Sequence, residues 1–257
     1  MKIRFTKYQG TGNDFVMLNN LNGNYDNLSI DSIQFLCDRK LGIGADGLIK
    51  LSSSDSYDFE VEYFNADGSQ SFCGNGARCS IAFAKEIGVI EKETFFHAID
   101  GPHKGSVENG IVRLEMLPVD RIDVFGNDFF VDTGSPHYVH FKQDSDIDIV
   151  SYGKVVRYSK EFEKEGVNVN YLIERSNSCI EVETYERGVE DETLSCGTGV
   201  TGCALVFMQK KGMENGKISV NTKGGKLMVE AMKNGDGFDN IWLSGPAKKV
   251  FDGVVND

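Results

Sequence analysis

Two cysteines are set apart by the residues that follow them. Cys73 opens Cys73-Gly-Asn-Gly76, and Cys196 opens Cys196-Gly-Thr-Gly199. After the second, Val200, Cys203, Ala204 and Phe207 keep the spacing of one helix face, and Ala77, Ile81 and Ala84 give a shorter version after the first. Each cysteine is therefore predicted to stand at a helix start, where free backbone N–H groups and the positive end of the helix dipole stabilise an anion. That placement lowers a thiol's pKa. The glycines let the backbone close in around a carboxylate or phosphate. Two activated thiols on opposite sides of one small molecule suit inversion at a carbon acid. One removes a proton from one face while the other supplies a proton to the opposite face. The negative charge developed on the adjacent carboxylate would be held by the same helix-start donors.

The elements that must position these thiols repeat along the chain. Thr11-Gly-Asn-Asp-Phe-Val16 matches Thr133-Gly-Ser-Pro-His-Tyr-Val139, and Phe59-Glu-Val-Glu-Tyr-Phe64 matches Ile180-Glu-Val-Glu-Thr-Tyr185. Starting positions 11, 59 and 73 recur at 133, 180 and 196, so the offset stays near half the chain. Such a period is too long for a solenoid. It predicts two similar halves, residues 1–118 with Cys73 and 119–257 with Cys196, the last strand being free to pack back on the first half. Two halves about a pseudo-twofold axis would leave a cleft, where ligands commonly bind. Alternating residues predict strands at 59–64 and 180–185, helices are expected at 30–41 and 146–158, and glycine-punctuated strands at 104–117 and 217–230. The fold class expected is α/β with mixed α+β sheets: two pseudosymmetric domains from an internal duplication, each a sheet wrapped around a central helix.

The 257 residues carry 27 Lys and Arg against 39 Asp and Glu, a net charge of −12. That acidity repels a phosphate backbone, so nucleic acid is not an expected partner. No run approaches the roughly 18 apolar residues of a membrane span. Met1-Lys-Ile-Arg-Phe-Thr-Lys7 lacks a signal core, so no membrane partner and a cytoplasmic location are expected. Six cysteines at this length read as reduced thiols, with Cys37, Cys79, Cys179 and Cys203 assigned to the core.

Competing chemistries account for fewer of these residues. Gly42-Ile-Gly-Ala-Asp-Gly47 and Gly197-Thr-Gly-Val-Thr-Gly202 have the form of a dinucleotide fingerprint, but neither has its strand–turn–helix context and acidic residue. A zinc site needs tighter Cys or His pairs, and no metal is expected. A Cys–His hydrolase using His137 would leave one Cys-Gly-x-Gly idle.

Tyr8-Gln-Gly-Thr-Gly-Asn-Asp-Phe15, Phe64-Asn-Ala-Asp-Gly-Ser69, Phe72-Cys-Gly-Asn-Gly-Ala-Arg-Cys79 and Glu186-Arg-Gly188 with Glu192-Thr-Leu-Ser-Cys-Gly-Thr-Gly199 resemble the diaminopimelate epimerases over nearly the whole chain. The resemblance implies a cofactor-independent isomerase that interconverts LL- and meso-2,6-diaminoheptanedioate in lysine and peptidoglycan precursor biosynthesis. Its partner would be that small amino acid, and a homodimer is compatible with it. Cys73 and Cys196 would be the acid/base pair, with Gly74, Asn75, Gly197 and Thr198 holding the reacting carboxylate. Asn13, Asn65 and Asn168 would read the distal end, Glu186 and Arg187 would flank the second thiol, and His137 and Glu186 would tune the thiols. Gly47 stands where many members carry Gln, Ser135 where many carry Asn, and the stretch from Glu186 to Cys196 is one residue longer than usual. The alternatives are a two-thiol racemase or epimerase of the proline or hydroxyproline type, whose members typically carry His where Asn75 stands, and a non-catalytic amino-acid-binding protein.

Overall fold

The computed structural model describes residues 2–256. Its chain forms two units. One is built up to Leu114 and again from Gly245 onward, and the other from Glu115–Ser244.

In the first unit the elements are β1 (Lys2–Gly10), β2 (Asn13–Asn20), α1 (Ile30–Cys37), β3 (Gly47–Ser52), β4 (Glu60–Asn65), α2 (Gly74–Glu86), β5 (Glu93–Ala98), β6 (Gly101–Glu108) and β7 (Ile111–Glu115). The second contains β8 (Asp123–Phe125), β9 (Asp128–Asp132), β10 (Pro136–Phe141), α3 (Ile149–Arg157), β11 (Asn168–Ser176), β12 (Cys179–Glu186), β13 (Asp191–Thr193), α4 (Gly197–Lys210), β14 (Asn215–Thr222), β15 (Gly225–Asn234) and β16 (Gly237–Pro246). The chain then returns as β17 (Lys248–Asn256) to pair antiparallel with β1, from Lys2 opposite Asn256 to Gln9 opposite Lys248. That ladder places the last strand in the first unit.

Both units pair their strands in one pattern. Along β17-β1-β2-β3-β4-β5-β6-β7 the β2–β3 and β4–β5 steps are parallel and all others antiparallel. Along β8-β9-β10-β11-β12-β14-β15-β16 the parallel steps are β10–β11 and β12–β14, at the same places. Parallel neighbours need a long crossover, and each of these four carries a helix. The duplication is therefore one of hydrogen-bonding topology as well as of motifs.

The crossover helices differ in role. α2 is buried at every residue from Gly74 to Ile81, and α4 at Gly197 and from Gly199 to Met208, so sheet strands enclose both. A helix buried on all sides needs small residues where strands approach and apolar ones elsewhere. Gly, Ala, Val and Leu fill most of these positions in α4, whereas α2 pairs Gly, Ala and Ile with the buried polar side chains of Asn75, Arg78 and Ser80. α1 and α3 bury one side only. Ser29 and Asp148 start them, each side chain accepting a backbone N–H three residues on. α1 stops at Cys37, short of the expected 41, because the Asp38 carboxylate takes the N–H groups of Lys40 and Leu41 into a turn. α3 starts and ends inside the expected 146–158. The stretches 104–117 and 217–230 prove to be strand pairs with turns between them. Cys37, Cys79 and Cys203 lie in the core, whereas Cys179 is only half-buried on β12, a correction to its core assignment.

Candidate active site

Cys73 and Cys196 are the residues immediately preceding α2 and α4, both with extended backbone. Sequence places them there because the Gly-x-Gly that follows lets the first helical turn form against neighbouring strands.

At the first helix start, the Cys73 sulfur accepts the Gly76 N–H at 3.4 Å, and its thiol donates to Asn13 Oδ1 at 3.6 Å. Asn75 Nδ2 donates to the same oxygen at 3.3 Å, and Asn13 Nδ2 is held by Asp46 at 2.7 Å. Arg78, with no exposed surface, donates to Asn75 Oδ1 at 2.9 Å and Thr11 Oγ1 at 3.2 Å. Asn13 follows the two-residue turn Thr11-Gly12, in which both residues have positive φ, as the tight hairpin between β1 and β2 requires. A threonine there is strained, and the bond from Arg78 helps hold it. Two amides are thereby oriented from behind by charged groups. Burial pushes the neighbouring Cys79 thiol well up and keeps it protonated.

The second helix start is wired differently. The Cys196 sulfur lies 3.3 Å from Thr198 Oγ1, which lies 3.0 Å from His137 Nε2. His137 is fully buried, and desolvation, with Arg187 adding to it, lowers its pKa to about 3, so the ring is neutral near pH 7. Thr133 Oγ1 donates to the Thr198 carbonyl at 3.0 Å. Burial also raises the Cys203 thiol, one face-repeat along α4, well above its usual range. Among the described residues no group of three or more His, Cys, Asp or Glu is placed to hold a metal ion.

The chain matches the diaminopimelate epimerase family model over residues 5–110 and 129–250. It is 44% identical to a diaminopimelate epimerase of Flavobacterium psychrophilum, covering 98% of this chain and 100% of that one, and 37% identical to one of Chlorobaculum tepidum, covering 96% and 98%. The chain belongs to the diaminopimelate epimerase family. It is an enzyme, an isomerase of the epimerase kind. In fold it is similar to a phenazine biosynthesis protein of the PhzF family from Bacillus anthracis, with a TM-score of 0.75 at 14% identity over the whole of both chains. A hydroxyproline epimerase from Agrobacterium vitis matches with a TM-score of 0.74 at 14% identity, over 99% of this chain and 91% of that one.

Within each unit, the residues that the family resemblance singles out fall into small groups. Asn13, Cys73, Gly74 and Asn75 come together at the start of α2. Asn65 is held in its own turn, its amide donating to Ser69 and Ser71 while it accepts from Tyr63 at 2.9 Å. Gly47, opposite Asn65 in the β3–β4 ladder, has no room for a side chain. An added Cβ would lie 2.5 Å from the Tyr63 ring. Tyr63 thus fills the space that a glutamine would need.

In the second unit His137, Cys196, Gly197 and Thr198 form one group. Asn168 donates to Ser135 Oγ at 3.0 Å and accepts the Arg187 N–H at 2.9 Å, tying the serine at position 135 to the Glu186-Arg187 pair. Arg187 itself donates to the Glu165 carbonyl. Glu186 ends β12 opposite Asp191. The sequence reading missed Asp46, Arg78, Asn170 and Thr184. Asp46 and Arg78 could have been suspected as charges inside apolar motifs, whereas Asn170 and Thr184 carried no signal beyond a polar residue in a strand.

Proposed function

We propose that the protein interconverts LL- and meso-2,6-diaminoheptanedioate by moving the α-proton between the thiols of Cys73 and Cys196. One sulfur, as thiolate, takes the proton from the α-carbon. The other, as thiol, gives its proton to the opposite face, and the reverse reaction exchanges the roles. No electron is gained or lost, and the total proton count is unchanged. The reading requires both sulfurs to reach opposite faces of one α-carbon.

A hydrogen-bond contrast carries it. Cys73 donates to an amide oxygen, while the sulfur of Cys196 meets a hydroxyl that can donate to it. That contrast suits one thiol and one thiolate. The backbone N–H groups of Gly74, Asn75, Gly197 and Thr198 would hold the carboxylate as charge builds on it. Glu186 would take the α-ammonium, with Arg187 beside it, and Asn13, Asn65 and Asn168 would read the distal amino and carboxylate ends. In this reading the enzyme works in the cytoplasm without a cofactor, and its product feeds lysine and peptidoglycan precursor synthesis.

The deciding experiment follows solvent deuterium into the α-position in deuterated buffer. LL- and meso-diaminopimelate should exchange, and proline and hydroxyproline should not. Exchange of proline alone would move the enzyme to the proline-type racemases, and binding without any exchange would mark a non-catalytic protein.

A further inference from the structure

We propose that Asn170 is a positioning residue for the second thiol. It fixes His137 in the tautomer with its proton on Nε2, so that the hydroxyl proton of Thr198 is left to point at Cys196. The inference rests on the reading of Cys196 as one of the two acid/base thiols.

The direction of each hydrogen bond follows from the groups involved. Asn170 Nδ2 lies 3.1 Å from the Tyr138 carbonyl, which can only accept, so that atom is the amide nitrogen. The amide oxygen accepts from Thr184 Oγ1 at 2.9 Å; the two residues are directly paired across β11 and β12. The same Nδ2 lies 3.2 Å from His137 Nδ1. Two N–H groups cannot face each other there, so Nδ1 accepts and the single ring proton sits on Nε2. Nε2–H then donates to Thr198 Oγ1. The threonine's one hydrogen is free to point at the Cys196 sulfur, where it stabilises a thiolate. The opposite tautomer would reverse the chain and turn the Cys196 thiol into the donor.

A second observation says the polar pair is not there to fill space. Phe15, Ile49 and Gly76 recur 122, 121 and 123 residues on as His137, Asn170 and Gly199. A Cβ at Gly76 would meet Ile49 at 3.1 Å and Phe15 at 3.6 Å, and one at Gly199 would meet Asn170 at 2.7 Å and His137 at 3.2 Å. The same backbone site thus supports a helix start on hydrocarbon in one unit and on a buried His–Asn pair in the other. Packing alone is satisfied by the apolar pair, and a buried polar pair is the more costly way to achieve it. Arg187 acts on His137 and the buried Cys203 thiol on Cys196, and Glu186 ends β12, the strand that carries Thr184.

The test measures alkylation of Cys196 and Cys73 by iodoacetamide against pH, read peptide by peptide by mass spectrometry on the full chain. Thr198→Val and Asn170→Leu should each raise the Cys196 midpoint by about one unit, a roughly tenfold slower reaction below it, and Thr198→Ser should restore it. The Cys73 midpoint should stay in place throughout. With nitrogen-labelled histidine, the NMR spectrum of the unaltered protein should show His137 protonated on Nε2. A proton found on Nδ1, an unmoved Cys196 midpoint in folded Asn170→Leu, or an equal shift at Cys73 would overturn the proposal. Should Asn170→Leu fail to fold, the tautomer measurement and Thr198→Val still decide. Retention of turnover by Cys196→Ala would sink the catalytic reading instead, while leaving the tautomer and midpoint results to stand by themselves.

Discussion

The starts of α2 and α4 are copies in backbone and strangers in side chain. In each, a cysteine in extended conformation precedes Gly-x-Gly and a helix enclosed by strands. Yet Cys73 caps its helix by accepting the Gly76 N–H, whereas Cys196 makes no such cap. Arg78 and Thr201 stand at equivalent places, and each satisfies the carbonyl of the first helical glycine, one through a guanidinium and one through a hydroxyl. Thr11 and Thr133 both brace the helix start, the first by accepting from Arg78 and the second by donating to the Thr198 carbonyl. Duplication preserved the geometry that the glycines permit. Divergence then gave the two sulfurs different hydrogen-bond environments, which is what an enzyme needs if one is to take a proton while the other gives one.

The largest effect should come from removing either sulfur. Cys73→Ala and Cys196→Ala are each expected to lower turnover by about 10³-fold or more, since general acid–base groups contribute roughly 10²–10⁴-fold. Full activity in either variant, measured by α-proton exchange, would end the two-thiol reading.

Next in size is a steric contrast between the units. Gly199→Ala would press a methyl group to 2.7 Å from Asn170 Oδ1, whereas Gly76→Ala meets the flexible end of Ile49 at 3.1 Å. Urea unfolding should show a loss of about 2–3 kcal/mol for the first and about 1 kcal/mol for the second. Equal losses would erase the contrast.

Acid sensitivity should separate the same pair of sites. His137 in the folded chain titrates near 3 against an ordinary 6.5. Between those values the unfolded chain binds a proton that the folded chain does not. Stability therefore falls as the pH drops from 6.5 towards 3 and is unaffected above it. At about pH 5 the His137 contribution to that loss is about 2 kcal/mol. His137→Phe, which installs the residue found at Phe15, should flatten that part of the curve, and an unchanged acid slope would refute it.

The smallest effect concerns the caps. Losing the sulfur should cost about 1 kcal/mol of stability for Cys73→Ala and less for Cys196→Ala, because only the first accepts a helix N–H. Thermal unfolding of the two variants side by side measures the difference.

Much of this was legible in the chain because glycine, cysteine and alternation are local signals. Cys73-Gly-Asn-Gly76 and Cys196-Gly-Thr-Gly199 announce helix starts by composition alone, and the matched motifs announce the duplication. Asn170 was not legible. A polar residue in β11 acquires meaning only from the parallel neighbour β10, which brings His137 beside it, and from the antiparallel neighbour β12, which supplies Thr184. Gly47 shows the same limit from the other side. The reason for a glycine at that position emerges only when the ladder places Tyr63 in the space a side chain would need.

Sequence by itself determined the two helix starts, the reactive residue type at each and the repeat that relates them, because these depend on backbone freedom and short-range periodicity. Only the tertiary structure decided that β17 joins the first unit and which polar groups face each sulfur. It also decided which way each hydrogen bond runs. Those outcomes depend on strand pairing between residues far apart in the chain, and on burial that drives most polar atoms to a partner of the opposite kind.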